Sequence, residues 1–180
     1  MSRISSKSLN NYPWYLRLLL YLQKKKYGSM LEPVLIWGRT PKVFLAFLIM
    51  QKALNRKKSQ LDPTLRALIT TLVSQINQCA FCIDMNSFLF LQRGGCIEKI
   101  LNLSTFKEKT LFTDLEKAAL EYTEAITKNA VSNEVFCKLK SYFNEDAITE
   151  LTALIAFQNL SSKFNAALDI QAFGFCKKPI

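Results

Sequence analysis

Two cysteines, in the run Cys79-Ala80-Phe81-Cys82, are the residues of this 180-residue chain whose type and spacing can do chemistry. A helix places positions i and i+3 on one face, close enough for two sulfurs to form and release a disulfide, a two-electron redox step. The pair follows a polar break at Asn77-Gln78, which puts it on the first turn of a new helix. There the free backbone N–H groups and the helix dipole favour a thiolate, lowering a thiol pKa from about 8.5 by one to several units. The same spacing also suits two small hydrophobes buried beside Phe81 and Met85. A structural zinc site needs a full tetrahedral set of cysteine or histidine ligands. The chain has no second CxxC and no histidine, so neither a metal nor a cofactor is expected.

The missing histidine also excludes a Ser-His-Asp triad, a Cys-His dyad, a HExxH zinc site and a histidine pH switch. Cys96, Cys137 and Cys176 complete an odd set of five cysteines, which does not read as a disulfide framework. These three are expected to be buried or incidental thiols. The longest apolar run, 43–50, falls far short of the roughly 20 residues that span a bilayer, and the start lacks the pattern of a secretory signal. A cytoplasmic protein with reduced thiols is the expectation.

The elements that must position the pair are helical. Hydrophobic residues make up 49% of the chain while Gly and Pro number only five each, so an all-α fold of about seven helices is expected, as one domain over 1–180. The first helix, over 12–26, has Pro13 in its first turn and Gly28 beyond its end, and presents Trp14, Leu18, Tyr21 and Leu22 as its apolar face. An irregular connection bracketed by Pro33 and Gly38 leads to a second helix from Pro41, carrying Phe44, Phe47, Leu48 and Leu54 and finished by the bases at 56–58. Asp62 before Pro63 starts a third over 62–77, whose Leu65, Leu68, Ile69, Leu72, Val73 and Ile76 form an i, i+3, i+4, i+7 stripe. The cysteine helix runs from about 80 to 93 and ends at Gly94-Gly95 in a left-handed turn. A polar loop is expected over 101–110. Helices then follow over 114–128 with a Thr113/Glu116 capping box, over 134–143 capped by Asn133, and over 146–168.

Charge is uneven. Residues 1–60 hold twelve Lys and Arg against the single Glu32, and 61–180 hold twelve against thirteen acids. The bases cluster at expected helix ends, where cations suit the dipole, and the aromatics Tyr12, Trp14, Tyr15 and Trp37 are read as packing residues. Nucleic-acid and membrane partners are therefore ranked below self-association of apolar helical faces into a homo-oligomer. The division expected is a basic N-terminal helical extension over 1–60, lying outside the redox site, and a core over 61–170.

The run from Leu65-Arg66-Ala67-Leu68 through Ser74-Gln75-Ile76-Asn77-Gln78-Cys79-Ala80-Phe81-Cys82-Ile83-Asp84-Met85-Asn86, followed by Arg93-Gly94, resembles the carboxymuconolactone decarboxylase and alkylhydroperoxidase D (AhpD)-like family. Leu115-Glu116-Lys117-Ala118-Ala119-Leu120 and Ile148-Thr149-Glu150-Leu151-Thr152, on to Asn159 and Asn165, look like the second half of its longer peroxidase-related members. The resemblance implies an AhpD-like helical fold, homo-oligomers and, for the redox members, a CxxC thiol peroxidase with a glutamate and histidine proton relay. Cys79 and Cys82 match the pair, but the glutamate position is Ala67 and the histidine position is Asn86. Neither substitute moves a proton. Asn86 stands one turn from Cys82 and is expected to support it by hydrogen bonding to a sulfur, whereas Asp84 points away from the cysteine face.

Two functions follow as expectations. One is a thiol–disulfide redox protein with Cys79 and Cys82 catalytic, acting on a hydroperoxide or disulfide substrate and re-reduced by a dithiol protein. The other is a non-catalytic relative serving as an oligomeric scaffold, redox sensor or anionic-surface binder.

Overall fold

The computed structural model describes residues 2–177, which form helices with no strand among them. The α-helices are α1 (Trp14–Tyr27), α2 (Glu32–Trp37), α3 (Pro41–Leu54), α4 (Pro63–Ile76), α5 (Ala80–Gln92), α6 (Ile97–Leu101), α7 (Asp114–Thr127), α8 (Asn133–Lys140) and α9 (Glu145–Ala167). Among the described residues seven of these span eight residues or more, in line with the expected count.

Helix α4 is the axis of the fold. Every residue from Leu65 to Ser74 is buried, because α5, α7 and α9 pack around it. Fully burying a Leu, Ile or Val side chain is worth about 1.5–3 kcal/mol, so the solvent-free Leu68, Ile69 and Val73 make α4 a major source of cohesion. Asp62 starts the helix as expected, its carboxylate accepting from the Thr64 and Leu65 amides at 2.7 and 3.1 Å. The capping box at α7 also forms: Thr113 accepts from the Glu116 amide at 3.2 Å, and Glu116 accepts from the Thr113 amide at 2.9 Å. Gly94 takes the expected left-handed turn, with φ +85°.

Several expectations are corrected. Helix α1 buries Leu16 and Leu20, while Trp14 and Tyr21 are 70% and 63% exposed and Leu18 and Leu22 are exposed with them. Both faces of α1 are apolar, so periodicity alone does not choose between them. The choice is made by Tyr12, whose hydroxyl donates to the Leu35 carbonyl at 2.8 Å, and by Gly38, where an added Cβ would lie 3.3 Å from the Leu16 side chain. Pro13 is the cap of α1 rather than part of its first turn. The connection around Pro33 is helical, since Pro is tolerated at a helix start and Pro33, Ile36 and Trp37 gain burial there. Helix α3 stops before the bases at 56–58, where the Arg66 guanidinium takes the Leu54 and Arg56 carbonyls at 2.8 and 3.3 Å.

The loop expected over 101–110 contains the end of α6 and a 3-10 turn, Leu103–Glu108, pinned by buried Leu103 and Phe106. Ser132 rather than Asn133 caps α8, and Asn144 caps α9. No helix among the described residues is long and apolar enough to cross a membrane.

Candidate active site

The break between α4 and α5 is a one-residue reversal. Gln78 adopts φ +53°, a left-handed conformation costly for a residue with a Cβ, and this brings Cys79 back so that its amide donates to the Ser74 carbonyl at 3.0 Å. The Asn77 side chain holds the turn against α9, donating to Asn159 at 2.9 Å and Ser162 at 2.8 Å. Cys79 thus becomes the N-cap of α5, its sulfur accepting from the Cys82 amide at 3.2 Å. One turn on, Cys82 meets it, with Cα atoms 5.2 Å apart and the two sulfurs joined as a disulfide.

Both cysteines are buried, but they face different surroundings. Cys82 lines a cavity of about 320 Å³ and Cys79 does not. The cavity walls come from α1, α2, α3, α5 and α9, so residues of the first 60, expected to lie away from the cysteines, supply one side of the site. Trp37 stacks on Phe164 at a centroid distance of 3.7 Å and on Phe47 at 4.7 Å, and Phe47 meets Phe157 at 4.6 Å. This aromatic seam fixes α2 and α3 against α9. Among the described residues, no Asp, Glu, Lys or Arg lines the cavity.

The polar contacts at the site are neutral carboxamides, an indole and hydroxyls. Asn165 of α9 donates to the Cys82 sulfur at 3.3 Å and accepts from the Trp37 indole at 3.2 Å. Asn86, expected at a sulfur, instead donates to the Thr70 carbonyl at 3.3 Å and the Ser74 hydroxyl at 3.0 Å. Its helical position faces α4, and Gln158 reaches the same Ser74 hydroxyl at 3.0 Å. The sulfur ligand is therefore a residue that sequence reasoning placed in the family's second half without a role. Only a long-range pairing of α9 with α5 reveals it.

Asp84 points away from the pair, as expected, and its task is structural. Its carboxylate accepts from the amides of Phe173, Gly174, Phe175 and Cys176 at 2.6–3.0 Å, clamping the C-terminal segment onto α5. Phe175 is thereby buried against Tyr27, Phe81 and Phe88. Ala67, at the family's glutamate position, lies in a different apolar cluster with Leu68, Leu72, Phe90 and Leu103.

Cys96, Cys137 and Cys176 are exposed rather than buried. The Cys176 thiol donates to the Asp84 main-chain carbonyl at 3.4 Å. Partial burial, then the neighbouring Asp84 charge and hydrogen bond, push its pKa upward, which keeps it a thiol and a weak nucleophile. Among the described residues no group of three or more His, Cys, Asp or Glu is arranged to hold a metal.

Fold and site together define an all-helical protein with a CxxC disulfide at the start of a helix and the second sulfur in an aromatic cavity. Residues 41–125 match the sequence pattern of the carboxymuconolactone decarboxylase family. The chain is 39% identical over 173 residues to the Escherichia coli (strain K12) protein YnjA, covering 95% of both chains. The protein belongs to the carboxymuconolactone decarboxylase family. Among solved structures it resembles the alkylhydroperoxidase AhpD core of a peroxidase-related protein from Ralstonia eutropha JMP134, with a TM-score of 0.84 at 20% identity, covering 97% of this chain and 94% of that one. The debrominase Bmp8 gives a TM-score of 0.81 at 21% identity over 97% and 94% of the two chains, and is also known as a cysteine-to-alanine variant holding 2,3,4-tribromopyrrole. These two likenesses are of fold.

Proposed function

We propose that this protein is a thiol–disulfide oxidoreductase acting on a neutral, largely apolar substrate, with Cys82 as the attacking thiolate and Cys79 as the resolving thiol. The observation that carries the reading is the asymmetry of the pair: Cys82 faces the cavity with the Asn165 donor at its sulfur, while Cys79 is sealed under the first turn of α5. A hydrogen bond to the charged form favours thiolate, and the helix start does the same for both sulfurs.

With a hydroperoxide, the Cys82 thiolate attacks the terminal oxygen and the O–O bond breaks. The departing alkoxide takes a proton and leaves as the alcohol, and Cys82 becomes a sulfenic acid. Cys79 then attacks that sulfur and expels hydroxide, which leaves as water with the proton from Cys79. Two thiols and one hydroperoxide give one disulfide, one alcohol and one water, and a dithiol partner returns the two electrons. Acid–base assistance is commonly worth about 10²- to 10⁴-fold, so a site without the glutamate and histidine relay turns over peroxide slowly, while disulfide exchange depends mainly on the thiolate.

The test is the reduced protein with cumene hydroperoxide and a dithiol. Consumption should require Cys82, and Cys79→Ser should accumulate a sulfenic acid at Cys82 that dimedone traps. Equal consumption by Cys82→Ser, or thiols inert to every oxidant tried, would remove the reading. The aromatic walls at Trp37, Phe44, Phe47 and Phe81, with the likeness in fold to a debrominase, support a bromoaromatic as a second substrate. Two thiols and one C–Br bond would give one disulfide, one C–H bond and HBr, read as released bromide. The uncovered apolar residues of α1 and α3, including Trp14, Tyr21, Val43 and Ile49, support self-association, which light scattering at two ionic strengths tests.

A further inference from the structure

A second cavity, of about 490 Å³, lies beside α1 and, among the described residues, shares none of its lining with the cavity at Cys82. Its lining is aliphatic at Leu9, Leu20 and Met30 and cationic at Arg17, Lys24 and Lys25, with no Asp or Glu among the described residues. Arg17, Leu20 and Lys24 stand at i, i+3 and i+7 on one side of α1, and Lys25 adjoins them. All three bases are exposed, so their charged ends are open to a ligand. None of their side chains makes an ion pair or hydrogen bond among the described residues, where the ion pairs all involve bases from Arg56 onward. Arg3, Lys7 and Arg39, by contrast, are held by main-chain carbonyls. The neighbouring chain offers no counter-charge either, since residues 1–31 contain six Lys and Arg and no acid.

Cations at the C-terminal end of a helix suit its dipole, which accounts for Lys24 and Lys25. Arg17 lies in the first turn, where the same dipole disfavours a positive charge. Unpaired cations beside aliphatic surface complement a molecule that is anionic at one end and aliphatic at the other.

We propose that this cavity is a binding site for an aliphatic phosphate monoester, with Arg17, Lys24 and Lys25 around the phosphate and the chain against Leu9 and Met30. Three bases favour phosphate over carboxylate, because a phosphate monoester carries close to two negative charges near neutral pH and a guanidinium can take two of its oxygens at once. The cavity lies in the size range of small-ligand sites. Such a monoester comes either as a soluble molecule or as the headgroup of phosphatidic acid in a membrane. The inference does not depend on the redox reading of Cys82.

Hexyl phosphate, inorganic phosphate and hexanol are the probes, titrated calorimetrically into the full-length protein. Hexyl phosphate should bind about tenfold or more tighter than inorganic phosphate, the gain from burying about two methylenes. It should also bind more tightly than hexanol, and lose affinity several-fold between about 20 and 200 mM NaCl. The triple variant Arg17→Gln, Lys24→Gln, Lys25→Gln should weaken hexyl phosphate by about tenfold or more. Lys52→Gln, Lys57→Gln and Lys58→Gln together remove the same charge from exposed bases outside the cavity, and should leave binding within about twofold. Leu9→Ser, at an exposed position, should narrow the preference for hexyl over inorganic phosphate several-fold.

Hexyl phosphate binding no better than inorganic phosphate or hexanol, an equal loss in the two triple variants, or no binding at millimolar concentration would each overturn the proposal. The parent comparison decides even where a variant fails to fold. Phosphatidylcholine vesicles with and without phosphatidic acid separate the two sources. Sedimentation with the acidic vesicles alone, abolished by the Arg17 triple variant, assigns the site to the lipid headgroup, and hexyl phosphate binding without sedimentation assigns it to a soluble ester.

Discussion

Asn165 donates to the sulfur of Cys82 across 3.3 Å from a position 83 residues further along the chain. That bond is the only polar contact made to Cys82's sulfur by another side chain among the described residues, the disulfide apart, and its geometry is set by the Trp37 indole at the other end of the carboxamide. Replacing Asn165 with Leu keeps the volume and removes both bonds. The reduced variant should alkylate at Cys82 several-fold more slowly near neutral pH, because the thiolate loses its donor. Stability should fall by about 1–3 kcal/mol, because the buried Trp37 N–H loses its acceptor. An unchanged pH profile of Cys82 alkylation would show that Asn165 does not act on the sulfur.

The Asp84 clamp makes a second expectation. Four backbone amides converge on one carboxylate, and hydrogen bonds to a charged acceptor are the stronger kind. Asp84→Asn turns one acceptor oxygen into a donor facing those amides. The denaturant midpoint should drop by the equivalent of about 2 kcal/mol or more, with earlier proteolysis of the C-terminal segment as Phe175 leaves its pocket. A variant as resistant as the parent would show that Phe175 packing alone retains the segment.

Restoring the family's glutamate should harm rather than help. Ala67 is buried in the apolar cluster that holds Leu68, Leu72, Phe90 and Leu103, so Ala67→Glu places a carboxylate in apolar surroundings, which raises its pKa. A raised carboxyl pKa makes the folded state bind more protons than the unfolded chain. The deficit is therefore smallest at low pH and grows as pH rises through the unfolded value. A loss of about 3 kcal/mol or more is expected at pH 7 and a clearly smaller one at pH 4, with no gain in peroxide consumption. A gain would place the side chain at the cysteines and refute the placement.

The surface ion cluster at Glu124 sets a modest acid limb. Hydrogen bonds from Lys107 at 2.7 Å and Lys128 at 2.6 Å, followed by smaller charge effects, hold the Glu124 carboxyl below its ordinary value. A depressed carboxyl pKa contributes stability that is present above the unfolded value, near 4.5, and is lost as pH falls through the folded one. The lysines are more than half exposed, so screening reduces the effect to less than about 1 kcal/mol. Glu124→Gln should flatten the loss of stability below about pH 4.5 and show little added salt dependence at pH 7. An acid limb identical to the parent's would assign that limb to other carboxylates.

Much of the helical frame was legible in the sequence, because its signals are local. Asp62 before Pro63, the Thr113/Glu116 box, Gly94 and the α4 stripe each act within a turn or two, and each appears where expected. The cysteine pair was legible for the same reason, since i, i+3 spacing at a helix start is a property of one helix. The errors fell where two local solutions are nearly equal, as on α1, whose two apolar faces differ only in what meets them, and around Pro33, where burial of Ile36 and Trp37 favours a helix.

What tertiary structure decided is the environment of the sulfur. Asn86 and Asn165 are the same residue type, and spacing pointed to the nearer one. The packing of α5 on α4 turned Asn86 toward Ser74, and the packing of α9 on α5 delivered Asn165 to Cys82. The cavity is likewise a product of assembly: α1, α2 and α3 close it from a part of the chain whose sequence shows only charge and apolar periodicity. Local pattern specifies which residues are helical and which are reactive. Which distant carboxamide is left free to meet a sulfur depends on how buried polar groups pair when the helices come together.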